Sequence, residues 1–263
     1  MFAPVVSAVK KYNLLREFVL REIKGRFAGS FAGTLWTLVH PVANICIYIF
    51  LFSLVLRISV TVEDTGTDSF AIFFLAGFFP WLFLAETLGK APGILIGNAS
   101  LITRVVFPVE LLPLASCGAV FITNGIGFVI FLIFLAVKTG VYLSWLWVVP
   151  LVFLQFLFVM GVVCFVSAAS VFVRDFAELV PLIVMVWFYG TPVIYPVSMV
   201  PESLHPLLGL NPMALFIELY RGVLLLHRID PLAFVQVAII SFLSYAVGAW
   251  LFMRLKPAFG DVL

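Results

Sequence analysis

The sequence predicts an all-α, polytopic membrane protein with six transmembrane helices, an N-terminal amphipathic interfacial helix, and outer re-entrant helices between spans five and six. Three observations carry this. The 263 residues are 64% hydrophobic and only 11% charged, with a mean hydropathy of +1.22, whereas soluble domains carry about 25% charged residues. Charge-free windows recur at about the 20 residues a helix needs to cross the hydrocarbon core. The lysines and arginines also fall into two unequal sets separated by those windows. Residues 1–263 read as one transmembrane domain.

Taken in order, Leu14, Leu15, Phe18, Val19, Ile23 and Phe27 recur at three- and four-residue steps, with Arg16, Glu17, Arg21, Glu22 and Lys24 opposite them. That pattern predicts an interfacial helix over 13–29, lying at anionic headgroups. Spans follow at Trp36 to Leu56, Ser69 to about Leu88, Leu111 to Val137, within Thr139 to Val173, and Pro231 to Met253. The first run begins too late and extends too far for a cleavable signal segment, so it is expected to stay as a span.

Leu179 to Leu226 is harder to read. A helix begins at Leu179, but Gly190, Pro192, Pro196, Pro201, Pro206 and Pro212 then interrupt it, each proline removing a backbone donor. Non-helical backbone at membrane depth is tolerated only inside protein or beside water. One span followed by a re-entrant region over 192–230 is therefore expected, with Glu218 and Arg221 in a wet rather than lipid-facing site. Six spans put both termini on the side that collects Lys10, Lys11, Arg16, Arg21, Lys24, Arg26, Lys90, Arg104, Arg174, Arg254 and Lys256, leaving Arg57, Lys138, Arg221 and Arg228 opposite. The first set marks the cytoplasmic face.

Several chemistries are excluded or set aside. A GxxxxGK[ST] phosphate loop is missing, so the chain itself is not expected to hydrolyse ATP or bind a cofactor. Cys46, Cys117 and Cys164 lie in apolar runs and read as small hydrophobes without disulfides. His40, His205 and His227 are too scattered to propose a metal, and His40 reads as a satisfied interfacial residue. A net charge of +2, distributed by topology, gives no reason to invoke nucleic acid. Glu86, with Lys90 four residues on, reads as an ion pair at the inner interface, a proton relay being the alternative. Among the 29 Phe and the other aromatics, most face lipid or neighbouring helices. Tyr48 and Phe52 in the first span, and Trp187, Tyr189 and Tyr195 about the proline break, are candidates to stack on the apolar faces of sugars.

Arg21-Glu22-Ile23-Lys24-Gly25-Arg26-Phe27, then Ser30, Gly33, Leu35-Trp36 and Pro41, resemble the amino-terminal signature of the type-2 ABC exporter permeases of polysaccharides, the Wzm, KpsM and TagG group. Asn98, Leu101, Arg104 and Phe107-Pro108 resemble that family's first inner loop, and Val173-Arg174-Asp175 its arginine–aspartate pair after the fourth span. Tyr189 to Pro196, Pro201, Asn211-Pro212 and Tyr220-Arg221 resemble its outer re-entrant region. The order and spacing extend over nearly the whole chain. Glu22, Arg104 and Thr191 depart mildly from the family's usual aspartate, lysine and serine.

The resemblance implies the membrane subunit of an exporter of O-antigen or a related lipid-linked polysaccharide, in the bacterial cytoplasmic (inner) membrane. It implies a homodimer, two copies of a separate ATPase that binds ATP and Mg, and an undecaprenyl-diphosphate-linked glycan passing between subunits. Residues 97–110 would be the cytoplasmic coupling loop, with Asn98, Leu101, Arg104, Phe107 and Pro108 meeting the ATPase. Arg174 and Asp175 would form a cytoplasmic structural pair, and Trp36, Tyr48, Phe52, Trp187, Tyr189 and Tyr195 would border the substrate path. From charge alone, Arg21, Lys24 and Arg26 are candidates for the carrier's diphosphate; anchoring to anionic lipid accounts for them equally well. A drug or small-lipid exporter of the same fold, and a membrane transferase on polyprenyl-linked sugars, are the alternative readings.

Overall fold

The computed structural model describes residues 11–26, 29–58, 60–104 and 107–263. Lys10 and Phe27, both named above, lie outside that description. The described residues form helices α1 (Tyr12–Gly25), α2 (Trp36–Ile49), α3 (Val62–Thr65), α4 (Phe70–Lys90), α5 (Gly93–Ile96), α6 (Ala99–Arg104) and α7 (Leu111–Thr139). The chain continues through α8 (Val148–Phe172), α9 (Phe176–Tyr189), α10 (His205–Gly209), α11 (Pro212–Leu224), α12 (Pro231–Leu255) and α13 (Phe259–Val262).

Five helical stretches are long and apolar enough to cross a membrane: Trp36–Val55, Phe70–Lys90, Leu111–Thr139, Leu143–Phe172 and Pro231–Val262. Each overlaps a window expected from the sequence. The first ends in a π-helical turn, Phe50–Val55. The proline-rich region behaves as its breakers require. Helix α9 has 14 residues, about 21 Å at 1.5 Å per residue, short of the roughly 30 Å hydrocarbon core. Beyond it the chain turns repeatedly, and the stretch Glu202–Gly209 meets α11 at a bend of 97°.

Helix α4 is the buried centre. Ala71, Leu75, Ala76 and Leu84 are fully buried, with α2, α7, α8, α9 and α11 packed around it. The most intimate crossing is α8 on α12, where Gly161 faces the backbone of Ser244 and Tyr245 and Gly248 faces Gly161. Any side chain there would enter the opposing backbone, so glycine permits the close approach that holds apolar helices together in lipid. Helix α1 rests its Leu14, Leu15, Phe18, Val19 and Ile23 face toward the bundle, against α7, and keeps Arg16, Glu17, Arg21 and Lys24 exposed. Among the described residues it ends at Gly25, against the expected 13–29.

Phe18 meets Phe107, and α13 packs on α6, so α1, α6 and α13 gather at one end of the bundle. The end of α3, residues 196–198, α11 and the start of α12 gather at the other, where they line a common cavity. Since α8 ends beside α13 through Phe172 and Phe259, the chain between α8 and α12 makes one net passage, completed by α9 and the turns that follow it.

Candidate functional site

At the end occupied by α1, the expected inner-loop residues come together. Asn98 donates Nδ2 to the Ile94 carbonyl at 2.9 Å and accepts from Arg21 Nη2 at 3.0 Å. The Phe18 and Phe107 rings lie 5.1 Å apart, and the Arg21 guanidinium sits 4.3 Å from the Phe18 ring centre. Leu101 and Pro108 are half-buried and Arg104 is exposed. The result is a short helix whose one side is anchored by α1 and whose charged tip remains accessible. Lys24 is also exposed.

A second polar group lies deeper. Arg26 Nη1 pairs with Glu86 Oε1 at 2.7 Å and donates to Thr123 Oγ1 at 3.3 Å. Lys90 pairs with the same carboxylate oxygen at 3.2 Å, and Asn124 Nδ2 donates to Glu86 Oε2 at 3.0 Å. The expected Glu86–Lys90 ion pair exists, but Arg26 is the nearer cation. Sequence spacing shows an i, i+4 neighbour and cannot show one sixty positions away. Arg26, Glu86, Thr123 and Asn124 border a cavity of about 150 Å³ that also takes in Trp36, His40, Asn44 and Phe78. The Trp36 and His40 rings lie 5.1 Å apart.

The two aromatic groups expected along a path both meet α4. Tyr48 packs on Phe74 at 4.7 Å and on Phe78 at 5.1 Å. Phe52 packs on Phe70 at 4.8 Å and Phe74 at 5.1 Å. Trp187 meets Trp81 edge-on at 6.1 Å. Phe74, Phe78 and Trp81 stand at i, i+4 and i+7, hence on one stripe of α4. Tyr189 is 65% exposed, and Tyr195 donates Oη to the Tyr189 carbonyl at 2.9 Å.

Residues from the re-entrant region supply the fold's most heavily used polar contacts. Asn211 accepts from Trp187 Nε1 at 2.8 Å and from the Met213 N–H at 3.1 Å, capping α11 ahead of Pro212. Its Nδ2 donates to the Gly190 carbonyl at 3.1 Å and Thr191 Oγ1 at 2.9 Å. Arg221 is almost wholly buried at the wall of a cavity: it donates to the Pro192, Val193 and Phe73 carbonyls at 2.6, 2.7 and 3.3 Å, stacked 3.6 Å from the Phe73 ring centre. Carbonyl dipoles thus take the place of water around a buried cation. Glu218, its partner in the expectation, opens onto the same cavity of about 610 Å³, lined also by Asp64, Arg228 and Asp230.

Two contacts were beyond sequence reasoning altogether. Gln155 donates to the Pro80 carbonyl at 2.6 Å and accepts from Tyr220 Oη at 2.9 Å, linking α4, α8 and α11. Lys256 pairs with Glu110 at 2.7 Å. Arg174 and Asp175, by contrast, are exposed in the turn before α9; among the described residues no ion pair joins them.

A membrane-buried helical bundle with an anchored, charged loop helix at one end and a proline-broken half-helix at the other defines a transporter's membrane component. The chain belongs to the ABC-2 type transporter family, whose sequence pattern matches residues 13–225. It is similar to an O-antigen export system permease protein RfbA of Klebsiella pneumoniae, 30% identical over 98% of this chain and 100% of that one. It is also similar to an RfbA of the same description from Myxococcus xanthus, 32% identical over 82% of each chain.

Proposed function

We propose that this chain is the membrane-spanning subunit of an ATP-driven exporter that moves a lipid-linked polysaccharide across the bacterial cytoplasmic membrane. The observation that carries this reading is similarity to O-antigen export permeases along nearly the entire chain. The geometry supports it in the aromatic rings along α4. The half-buried rings Tyr48, Phe52 and Phe78 pack on the buried Phe74 of α4, and Trp187 packs on the buried Trp81 further along it. Sugar rings have apolar faces that slide over aromatic ones without the directional bonds that would hold a chain in place.

In this reading the subunit works as a homodimer with two copies of a separate ATPase subunit, which binds ATP and Mg. The end holding α1, α6 and α13 is cytoplasmic, with both termini, as the positive-inside bias requires. Residues 98–108 seat in the ATPase, with Leu101 and Phe107 as apolar anchors and Arg104 as the exposed charge. Arg21, Lys24 and Arg26 meet the diphosphate of an undecaprenyl-type carrier, and the glycan follows the aromatic rings along α4 at the dimer interface toward the re-entrant region.

Arg104→Glu combined with Phe107→Ala is expected to abolish coupling between ATP hydrolysis and export while the dimer still purifies intact; normal export by that variant would remove the coupling assignment. For the path, Tyr48→Ala with Phe52→Ala should slow glycan export more than it lowers abundance in the membrane. Equal losses would mean that the two rings serve packing alone.

A further inference from the structure

Helix α1 meets the loop segment at Asn98 and Phe107. A further contact comes from residues far away in sequence, just after α12. Lys256 Nζ lies 2.7 Å from Glu110 Oε2, and Glu110 is 5% exposed at the N-cap of α7, two residues beyond Pro108. Phe259 is fully buried between Phe172 and Phe252, at 6.2 and 5.4 Å. That anchor sets α13 against α6. Neither residue lies within the stretch matched by the family pattern, which ends at 225.

A six-residue helix such as α6 has too few internal hydrogen bonds to be stiff by itself. A loop that transmits a push has to be held at more than one point, or the displacement is spent in bending it. We propose that Lys256 and Phe259 are positioning residues: together with α1, the segment they anchor braces 98–108 so that movement of the ATPase passes into α7 and the bundle. This rests on the coupling role proposed for 98–108. Glu110 is the joint, because it follows that segment at the N-cap of the 29-residue α7, where a carboxylate is also favoured by the helix dipole.

The test uses the full-length chain with its ATPase subunit in membranes, comparing Lys256→Glu, Lys256→Arg and the exchanged pair Glu110→Lys with Lys256→Glu. Four quantities are read: abundance, copurified ATPase, ATP hydrolysis and glycan export. Lys256→Glu is expected to keep abundance, copurification and hydrolysis while export per molecule falls about tenfold, the scale of one lost charge-assisted contact. Lys256→Arg and the exchanged pair should restore export. If Lys256→Glu fails to accumulate, Lys256→Gln, which places no second carboxylate beside Glu110, takes its place. Export falling only in step with abundance, or unchanged export per molecule, overturns the bracing role. Normal export by the Arg104→Glu, Phe107→Ala variant overturns it together with the coupling assignment, whereas its failure beside a fully active Lys256→Glu overturns the brace alone.

Discussion

Arg221 shows how a charge can be stable in an apolar bundle without a carboxylate at hydrogen-bonding distance. Three carbonyl oxygens take its donors, and Gly77 leaves room for it, since a Cβ there would stand 2.7 Å from Nη2. Arg221→Ala strands those carbonyls, each costing about 1–3 kcal/mol when buried unpaired, so a marked loss of abundance and of melting temperature in detergent is expected. Arg221→Lys should recover only part, because an ammonium lacks the planar fork. At Glu86 the expectation differs. Its pairs with Arg26 and Lys90 are partly exposed, at 32% and 37% for the cations, so Glu86→Gln should cost no more than about 1 kcal/mol and leave export intact. Abolished export with normal stability would instead favour a proton relay.

Among elements, the α8–α12 crossing sets the sharpest constraint. Gly161→Val would drive its Cβ into the Ser244 carbonyl, an overpacking worth about 3 kcal/mol, and the variant is expected to disappear from the membrane fraction. Gly125→Ala in α7 meets open space and should gain about 0.5–1 kcal/mol from helix propensity, seen as a raised melting temperature. The proline-broken region obeys the same logic. Asn211 and Arg221 meet the carbonyls of residues 190–193, so the backbone that the prolines free is bonded inside protein, as membrane depth demands.

For the molecule as a whole, the gathering of α1, α6 and α13 at one end requires an even number of passages. The short α9 therefore has to count as one. Cysteines placed at Lys11 and Asp261 are expected to be labelled from the same, cytoplasmic, side by an impermeant thiol reagent, and one at His205 from the opposite side. Labelling of the first two from opposite sides would break the six-span topology. Helix α2 and the turn that follows it keep Leu38, Val39, Val42, Ile47 and Phe50 exposed.

The sequence alone determined what depends on composition and local spacing. Five spans, the amphipathic α1, the break after Tyr189, the inner-loop segment and the Glu86–Lys90 pair were all legible, because hydropathy, the 3.6-residue period and proline's missing donor act over a few residues. Only the tertiary structure decided that Arg26 reaches Glu86, that Arg221 is bonded to three carbonyls, that Gln155 joins Pro80 to Tyr220, and that Lys256 pairs with Glu110. These partners lie from 28 to 148 positions apart. Periodicity shows which face of a helix is polar but not which face it will meet; helix crossings, set here by Gly161 and Gly248, make that choice.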